Sequence, residues 1–343
     1  MAARLKKLED QIVVITGASS GIGLVTARMA TERGARLVLA ARSEGALRQL
    51  TEESIGKGGS ATYVVADVSK REDVQEIARV ATETFGGFDT WVNDAGVGIY
   101  GKLAEIPIED MRQLFDTNFW GIVYGSGAAA AHLKQRGGAL INLGSVVSER
   151  AVPLQGIYSA SKHAIKGFTD ALRMELEWEG APISVTLIKP SSIDTPYMEH
   201  AKNFMDKEAT LPPPVYAPHL VAETILHAAE HPDGAGGASL AVMGDFAPRL
   251  TDKVMEMIVA GQEKRDRPAG PREENGLDHA AGRLEERGGY EGHTIETSPY
   301  TQAKLHPVVT GAAIASVSAA GRRCRGLASV AERRAATVAM LVR

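Results

Sequence analysis

The chain has 343 residues, of which 44% are hydrophobic and 23% charged, with a formal net charge of −4. That length admits one large α/β domain with an extension, or two ordinary domains, and the composition supplies a sizeable core. The mildly acidic balance gives no reason to expect nucleic acid, the one cysteine (Cys324) excludes an internal disulfide and fits a reducing, cytoplasmic setting, and Met1 to Asp10 carries no apolar signal-peptide run.

Ile12-Val13-Val14-Ile15 is a short β-branched run of the kind that forms a strand buried on both faces. It leads into Thr16-Gly17-Ala18-Ser19-Ser20-Gly21-Ile22-Gly23, and a helix follows as far as Gly34. Strand, glycine-rich turn and helix together let backbone amides at a helix start meet a pyrophosphate with no side chain in the way. The spacing is TGxxxGxG, not the more familiar GxGxxG. Arg36 to Ala41 reads as the second strand. An NAD-binding unit usually ends this strand on an acidic residue that holds the ribose hydroxyls, whereas an arginine accommodates a 2′-phosphate. Here Ala40-Ala41 is followed by Arg42, which favours NADP(H) over NAD(H). Ser43 reads either as a phosphate contact or as a helix cap.

Tyr63 to Ala66 is the third strand, closed by Asp67, and a helix from about Arg71 to Phe85 precedes a fourth strand at Thr90 to Val92 that runs into Asn93-Asp94-Ala95-Gly96. One long helical region from about Ile108 to Lys134 contains Asn118. Ala139 to Leu143 is a fifth strand delivering Ser145, and Ser184 to Ile188 a sixth ending at Lys189-Pro190. A helix near Pro218 to His231 follows, and Ser239 to Met243 is a plausible seventh strand. Strands alternating with helices on this scale imply right-handed crossovers and a doubly wound, mostly parallel, Rossmann-type α/β sheet of about seven strands. The catalytic domain is expected over residues 1–248 and a C-terminal extension over 249–343.

Between the fifth and sixth strands lies Tyr158-Ser159-Ala160-Ser161-Lys162. On a helix, Tyr158 and Lys162 share a face, and an adjacent cation lowers the pKa of a phenol. In doubly wound sheets the ligand sits beyond the carboxyl ends of the strands, where all these polar residues gather.

With those residues in hand, the sequence strongly resembles the short-chain dehydrogenase/reductase family over approximately Leu8 to Met243. The matched pieces are Thr16 to Gly23, Asp67, Asn93 to Gly96, Asn118, Ser145, Tyr158 with Lys162, and Pro190 to Thr195. The resemblance implies an NADP(H)-dependent oxidoreductase working on a carbonyl/alcohol pair. In it Tyr158 passes the proton, Lys162 depresses the pKa of Tyr158 and binds the nicotinamide ribose, Ser145 holds the substrate oxygen, and Asn118 supports a water relay to Lys162. It implies cofactor contacts at Gly17, Ser19, Ser20, Gly21, Ile22, Gly23, Arg42, Asp67, Asn93, Ala95, Gly96, Tyr158, Lys162, Pro190 and Thr195, and a homo-oligomer. Two departures stand out: the usual double Asn is Asn93-Asp94, and the usual Pro-Gly after the sixth strand is Pro190-Ser191. The rival class is a catalytically silent NADP(H)-binding sensor or scaffold, against which the intact Ser145, Tyr158, Lys162 and Asn118 set argues.

Val147, Val152, Leu154, Tyr197, Met198, Phe204 and Met205 flank the expected reaction site, either as an apolar pocket for a lipophilic substrate or as a packed-down lid. Among the nine histidines only His227 and His231 have ligand-like spacing, at a helix end that favours histidine, and no metal is expected. Thr251 to Lys264 is a candidate helix. Pro268 to Pro307 is rich in Gly, Pro and charge and reads as a flexible or loosely docked extension. Val308 to Ala320, thirteen residues, is too short to span a bilayer. The arginine-rich end beyond it reads as a peripheral membrane contact, a docking segment or a solvated tail.

Overall fold

The computed structural model describes residues 3–232, 262–280 and 283–298. The first half alternates strictly: β1 (Ile12–Thr16), α1 (Gly21–Glu32), β2 (Arg36–Ala41), α2 (Glu44–Gly56), β3 (Ser60–Val65), α3 (Arg71–Phe85) and β4 (Thr90–Asn93). A two-residue strand, β5 (Ile99–Tyr100), precedes α4 (Ile108–Phe115), α5 (Gly121–Arg136), β6 (Gly138–Leu143), α6 (Gly156–Trp178) and β7 (Ile183–Ile188). Beyond the sheet come β8 (Ser192–Ile193), α7 (Tyr197–His200), β9 (Lys202–Asn203), β10 (Lys207–Ala209), β11 (Val215–Tyr216), α8 (Pro218–Glu230), β12 (Glu263–Pro268) and β13 (Thr294–Ile295).

Six strands form one sheet in the order β3-β2-β1-β4-β6-β7, every pair parallel. Alternate residues of each strand feed opposite faces. Val13, Ile15, Leu37 and Leu39 pack with Leu24, Leu47 and Ile225 on the side of α1, α2 and α8. Ile12, Val14, Val38 and Leu140 pack with Ile77, Leu133 and Leu176 on the side of α3, α5 and α6. Both faces are covered, so the strands read as continuous apolar runs. The order reverses between β1 and β4, and this switch point opens a crevice at their carboxyl ends.

Two sequence expectations are revised. The single long helix of 108–134 is α4 and α5 joined by a π-helical turn, Asp116–Trp120, which carries Asn118. The third strand starts three residues before Tyr63, at Ser60. Met1–Thr297 clusters as one compact unit. Within it, β12 pairs antiparallel with β10, β13 pairs parallel with β11, and Leu277 is buried beside Val97, Ile99, Ile106 and Leu114. The composition is loop-like, but its backbone groups are bonded to the domain.

The candidate strand Ser239–Met243, most of the candidate helix Thr251–Lys264, the apolar run Val308–Ala320 and the basic segment after it lie outside the described residues. Among the described residues no helix is long and apolar enough to cross a membrane. His227 and His231 stack on each other at the end of α8, ring centroids 4.1 Å apart.

Candidate active site

The turn after β1 is set by close approach. Gly17, at φ +76°, lies against the backbone of Ala95, where a Cβ would come within 2.8 Å. Thr16 ties the two strand ends together, because its Oγ1 accepts from the amides of Asp94 and Ala95 at 3.2 and 3.3 Å. This brings the glycine turn, Asp94-Ala95-Gly96 and the start of α1 around one cavity of about 200 Å³. Of the expected cofactor residues, Gly17, Ser19, Ser20, Gly21, Ile22, Arg42, Asp67, Ala95, Gly96 and Thr195 line it, and Gly23, Asn93, Tyr158, Lys162 and Pro190 do not.

The others have definite places. Asn93 is buried inside the sheet, where its Nδ2 donates to Asn142 Oδ1 at 2.9 Å and its Oδ1 accepts from the Trp91 indole at 2.8 Å. Asp67 Oδ1 accepts from the Ser69 amide and hydroxyl at 3.0 and 2.7 Å, shaping the turn after β3. Pro190 accepts from the Val146 amide at 2.9 Å and so fixes the loop that carries Ser145. Ser43, one of two readings above, accepts from the Ala46 amide and caps α2. Gly23 packs against the Gly17 carbonyl and the Asp94 carboxylate, and its amide donates to that carboxylate.

Beside this cavity, β6 and α6 deliver the chemical groups. Ser145 caps a 3-10 turn, Val146–Ser148, its Oγ accepting from the Val147 amide. Lys162 Nζ donates to the Leu143 carbonyl at 2.8 Å and lies 5.6 Å from the centre of the Tyr158 ring. Asn118 is fully buried. Its Oδ1 accepts from the Val97 amide at 2.8 Å, and its Nδ2 donates to the Val97 carbonyl at 3.0 Å and to Ser161 Oγ at 3.2 Å. The side chain therefore clamps the strand exit of β4 to α6.

The electrostatics depart from the expected acidification of Tyr158. Burial pushes its phenol up to about 12, with the Tyr197 and Ser145 hydroxyls pulling it back and the Asp94 carboxylate adding to the rise. Burial lowers the Lys162 ammonium to about 8, opposed by Asp94. Asp94 is raised to about 7 by burial, opposed by Lys162. The residue that departs from the usual double Asn thus forms, with Lys162, a coupled pair that titrates near neutrality.

Two further residues carry weight. Tyr197, which the sequence placed only among the flanking apolar residues, starts α7 and sets its ring 5.4 Å from Tyr158 and 6.4 Å from Tyr100. The flanking segment is packed down as a lid, with Leu154, Tyr197, Met198 and Met205 clustered around Tyr100. Gly276 is the other: it borders the cavity from the C-terminal extension, and no motif marked it.

The sequence profile of the family described as short chain dehydrogenase matches residues 11–206, more than half of the chain. The chain is a short-chain dehydrogenase. This short-chain dehydrogenase is 50% identical to the uncharacterized oxidoreductase YxnA of Bacillus subtilis over 332 residues, 94% of this chain and 93% of that protein, a span that takes in most of the extension. It is 41% identical over 187 residues to 11-beta-hydroxysteroid dehydrogenase A of Sesamum indicum, covering 54% of this chain and 53% of that protein. Among solved structures, it resembles the alcohol dehydrogenase from Thermococcus sibiricus complexed with 5-hydroxy-NADP, with a TM-score of 0.56 and 28% identity, covering 63% of this chain and 88% of that one. The short-chain dehydrogenase is an oxidoreductase with a Rossmann-like nucleotide-binding sheet.

Proposed function

We propose that this short-chain dehydrogenase transfers hydride between NADP(H) and the carbonyl/alcohol group of a lipophilic substrate, using Ser145, Tyr158, Lys162 and Asn118. The observation that carries this reading is the gathering of Ser145, Tyr158 and Lys162 beside a glycine-lined cavity at the β1/β4 switch point. The residues fit a dinucleotide: the start of α1 and its glycine turn face the cavity, and Thr195 closes the opposite side, 3.1 Å from where a Gly21 Cβ would stand. When bound, the nicotinamide supplies or accepts the hydride.

The chain's own residues handle the proton. Tyr158, held protonated by burial, is in the form that donates to a carbonyl oxygen during reduction. Ser145, fixed by the turn it caps, offers a hydrogen bond where charge develops on that oxygen. Lys162, anchored on the Leu143 carbonyl, places a cation beside the tyrosine. Asn118 fixes the position of α6 through Ser161.

The preference for NADP(H) rests on Arg42 after β2 and on the lack of an acidic residue at that strand's end. The Thermococcus neighbour, solved with an NADP derivative, agrees with it. A lipophilic substrate agrees with the sesame relative, named for a hydroxysteroid. NADPH oxidation across a panel of carbonyl compounds, in wild type and Tyr158→Phe, tests the reading. Turnover should fall by about 10²-fold or more in the variant; equal rates would refute the mechanism. In the same protein Arg42→Ala should weaken NADPH far more than NADH, and parallel losses would refute the cofactor assignment.

A further inference from the structure

The donors best placed to receive a cofactor's phosphates are already engaged by the protein itself. Arg42 donates to three backbone carbonyls of the C-terminal extension: Gly276, Leu277 at 3.2 Å and His279 at 2.8 Å. The amide of Gly21, the first residue of α1, donates to the Glu285 carbonyl at 2.9 Å. Of the other donors at this helix start, Gly23 is used by Asp94. A helix start is an anion site because its amides lack internal partners, so each one capped from within weakens it.

The segment is held from several directions. Asn275 Oδ1 accepts from the amides of Leu277 and Asp278, both at 2.9 Å, and folds the turn. Leu277, 1% exposed, is anchored in the cluster beside β5. Lys202 bridges Asp278 at 3.0 Å and Asp110 at 2.9 Å, and Arg28 bridges Glu286 at 2.7 Å. The Gly276 amide donates to the His200 carbonyl, 2.6 Å away at the end of α7, so the segment crosses from the lid to the end of β2. The cavity beneath it, about 200 Å³, is smaller than the roughly 300–1,000 Å³ usual for small-molecule sites.

We propose that residues 275–280 and 283–286 form a strap that competes with the phosphates of NADP(H) for Arg42 and the Gly21 amide, and that binding of the cofactor displaces it. A neutral carbonyl is a weaker partner for a guanidinium than a phosphate, with which it makes charge-assisted, bidentate bonds. A 2′-phosphate therefore wins Arg42 from the strap, and NAD(H), which lacks it, leaves that half of the strap in place. The strap in this way lowers the apparent affinity for NADP(H) by the cost of its release and narrows the margin over NAD(H), which escapes that part of the cost. This inference rests on the proposed role of Arg42 in binding NADP(H).

Hydrogen exchange of the full-length protein, read by mass spectrometry with and without saturating NADPH or NADH, tests it. NADPH should raise exchange across the strap, whereas NADH should leave 276–280 protected. Leu277→Ala, which loosens the anchor, and Asp278→Asn, which removes the Lys202 bridge from a surface position, should each lower the dissociation constant for NADPH severalfold. Added protection of these residues by NADPH, or unchanged affinity in both variants, would overturn the strap. Arg42→Ala separates the two readings. Selective loss of NADPH binding without strap release leaves the cofactor reading and removes the strap, whereas equal loss of NADPH and NADH removes the basis of both.

Discussion

Asp94→Asn isolates the most unusual electrostatic feature of the site. Asn keeps a carbonyl oxygen for the Gly23 amide and restores the family's more common residue while removing the charge. In the wild type, burial raises the Asp94 carboxyl from 3.8 to about 7. Below the lower value the folded and unfolded chains are both protonated. Between the two, the folded chain keeps a proton that the unfolded chain has lost, so stability falls as pH rises towards 7. At about 1.4 kcal/mol per pH unit, the loss between pH 5 and pH 7 is at most about 3 kcal/mol. Asp94 borders the cofactor cavity, and screening by water there reduces the expected figure to about 1–2 kcal/mol. Urea denaturation at pH 5 and pH 7 reads this directly, and staying at or below pH 7 avoids the titration of Lys162 at about 8. The variant should lose about 1–2 kcal/mol less than wild type across the interval. Equal losses in the two proteins would show that Asp94 is ionised and well solvated at pH 5, and the coupling to Lys162 would fall with it.

The remaining predictions concern neighbouring contacts. Tyr197→Phe removes a hydroxyl that pulls the Tyr158 phenol down, so alcohol oxidation at pH 9, which needs the phenolate, should slow severalfold while KM changes little; an unchanged pH–rate profile would assign Tyr197 to packing alone. Gly125→Ala drives a Cβ from α5 into the Asn93 side chain and the Trp91 indole. Such overpacking should cost about 1–3 kcal/mol and lower Tm by about 2–4 °C per kcal/mol, read by thermal denaturation. An unchanged Tm would mean that Asn93 has room to turn away.

The inner strands could be read in advance because they are buried on both faces, so that Ile12–Ile15 or Leu37–Ala41 is apolar without interruption. The Tyr158–Lys162 pair was legible from its spacing. Its electrostatics were not, because they depend on how deeply Lys162 is desolvated and on Asp94, remote in sequence. Strands of two residues such as β5 and β9 carry no alternation to detect. How the described part of the extension docks was not legible, because much of what holds it is main chain: carbonyls of Gly276, His279 and Glu285 accept from Arg42 and Gly21. Any sequence supplies carbonyls, so composition is silent about them.

The π-helical turn between α4 and α5 has a consequence for how this helix tolerates change. A π turn holds one residue more than the α-helical turn it replaces, and each residue of an α-helix rotates its neighbours by about 100°. Deleting a single residue within Asp116–Trp120 would let the whole span 108–136 close into regular helix. The loss would remove the wide turn that holds Asn118 against Val97 and Ser161. At this one turn the domain depends on chain length more than on residue identity, and a deletion that most helices lose at their ends would here be felt at the active site.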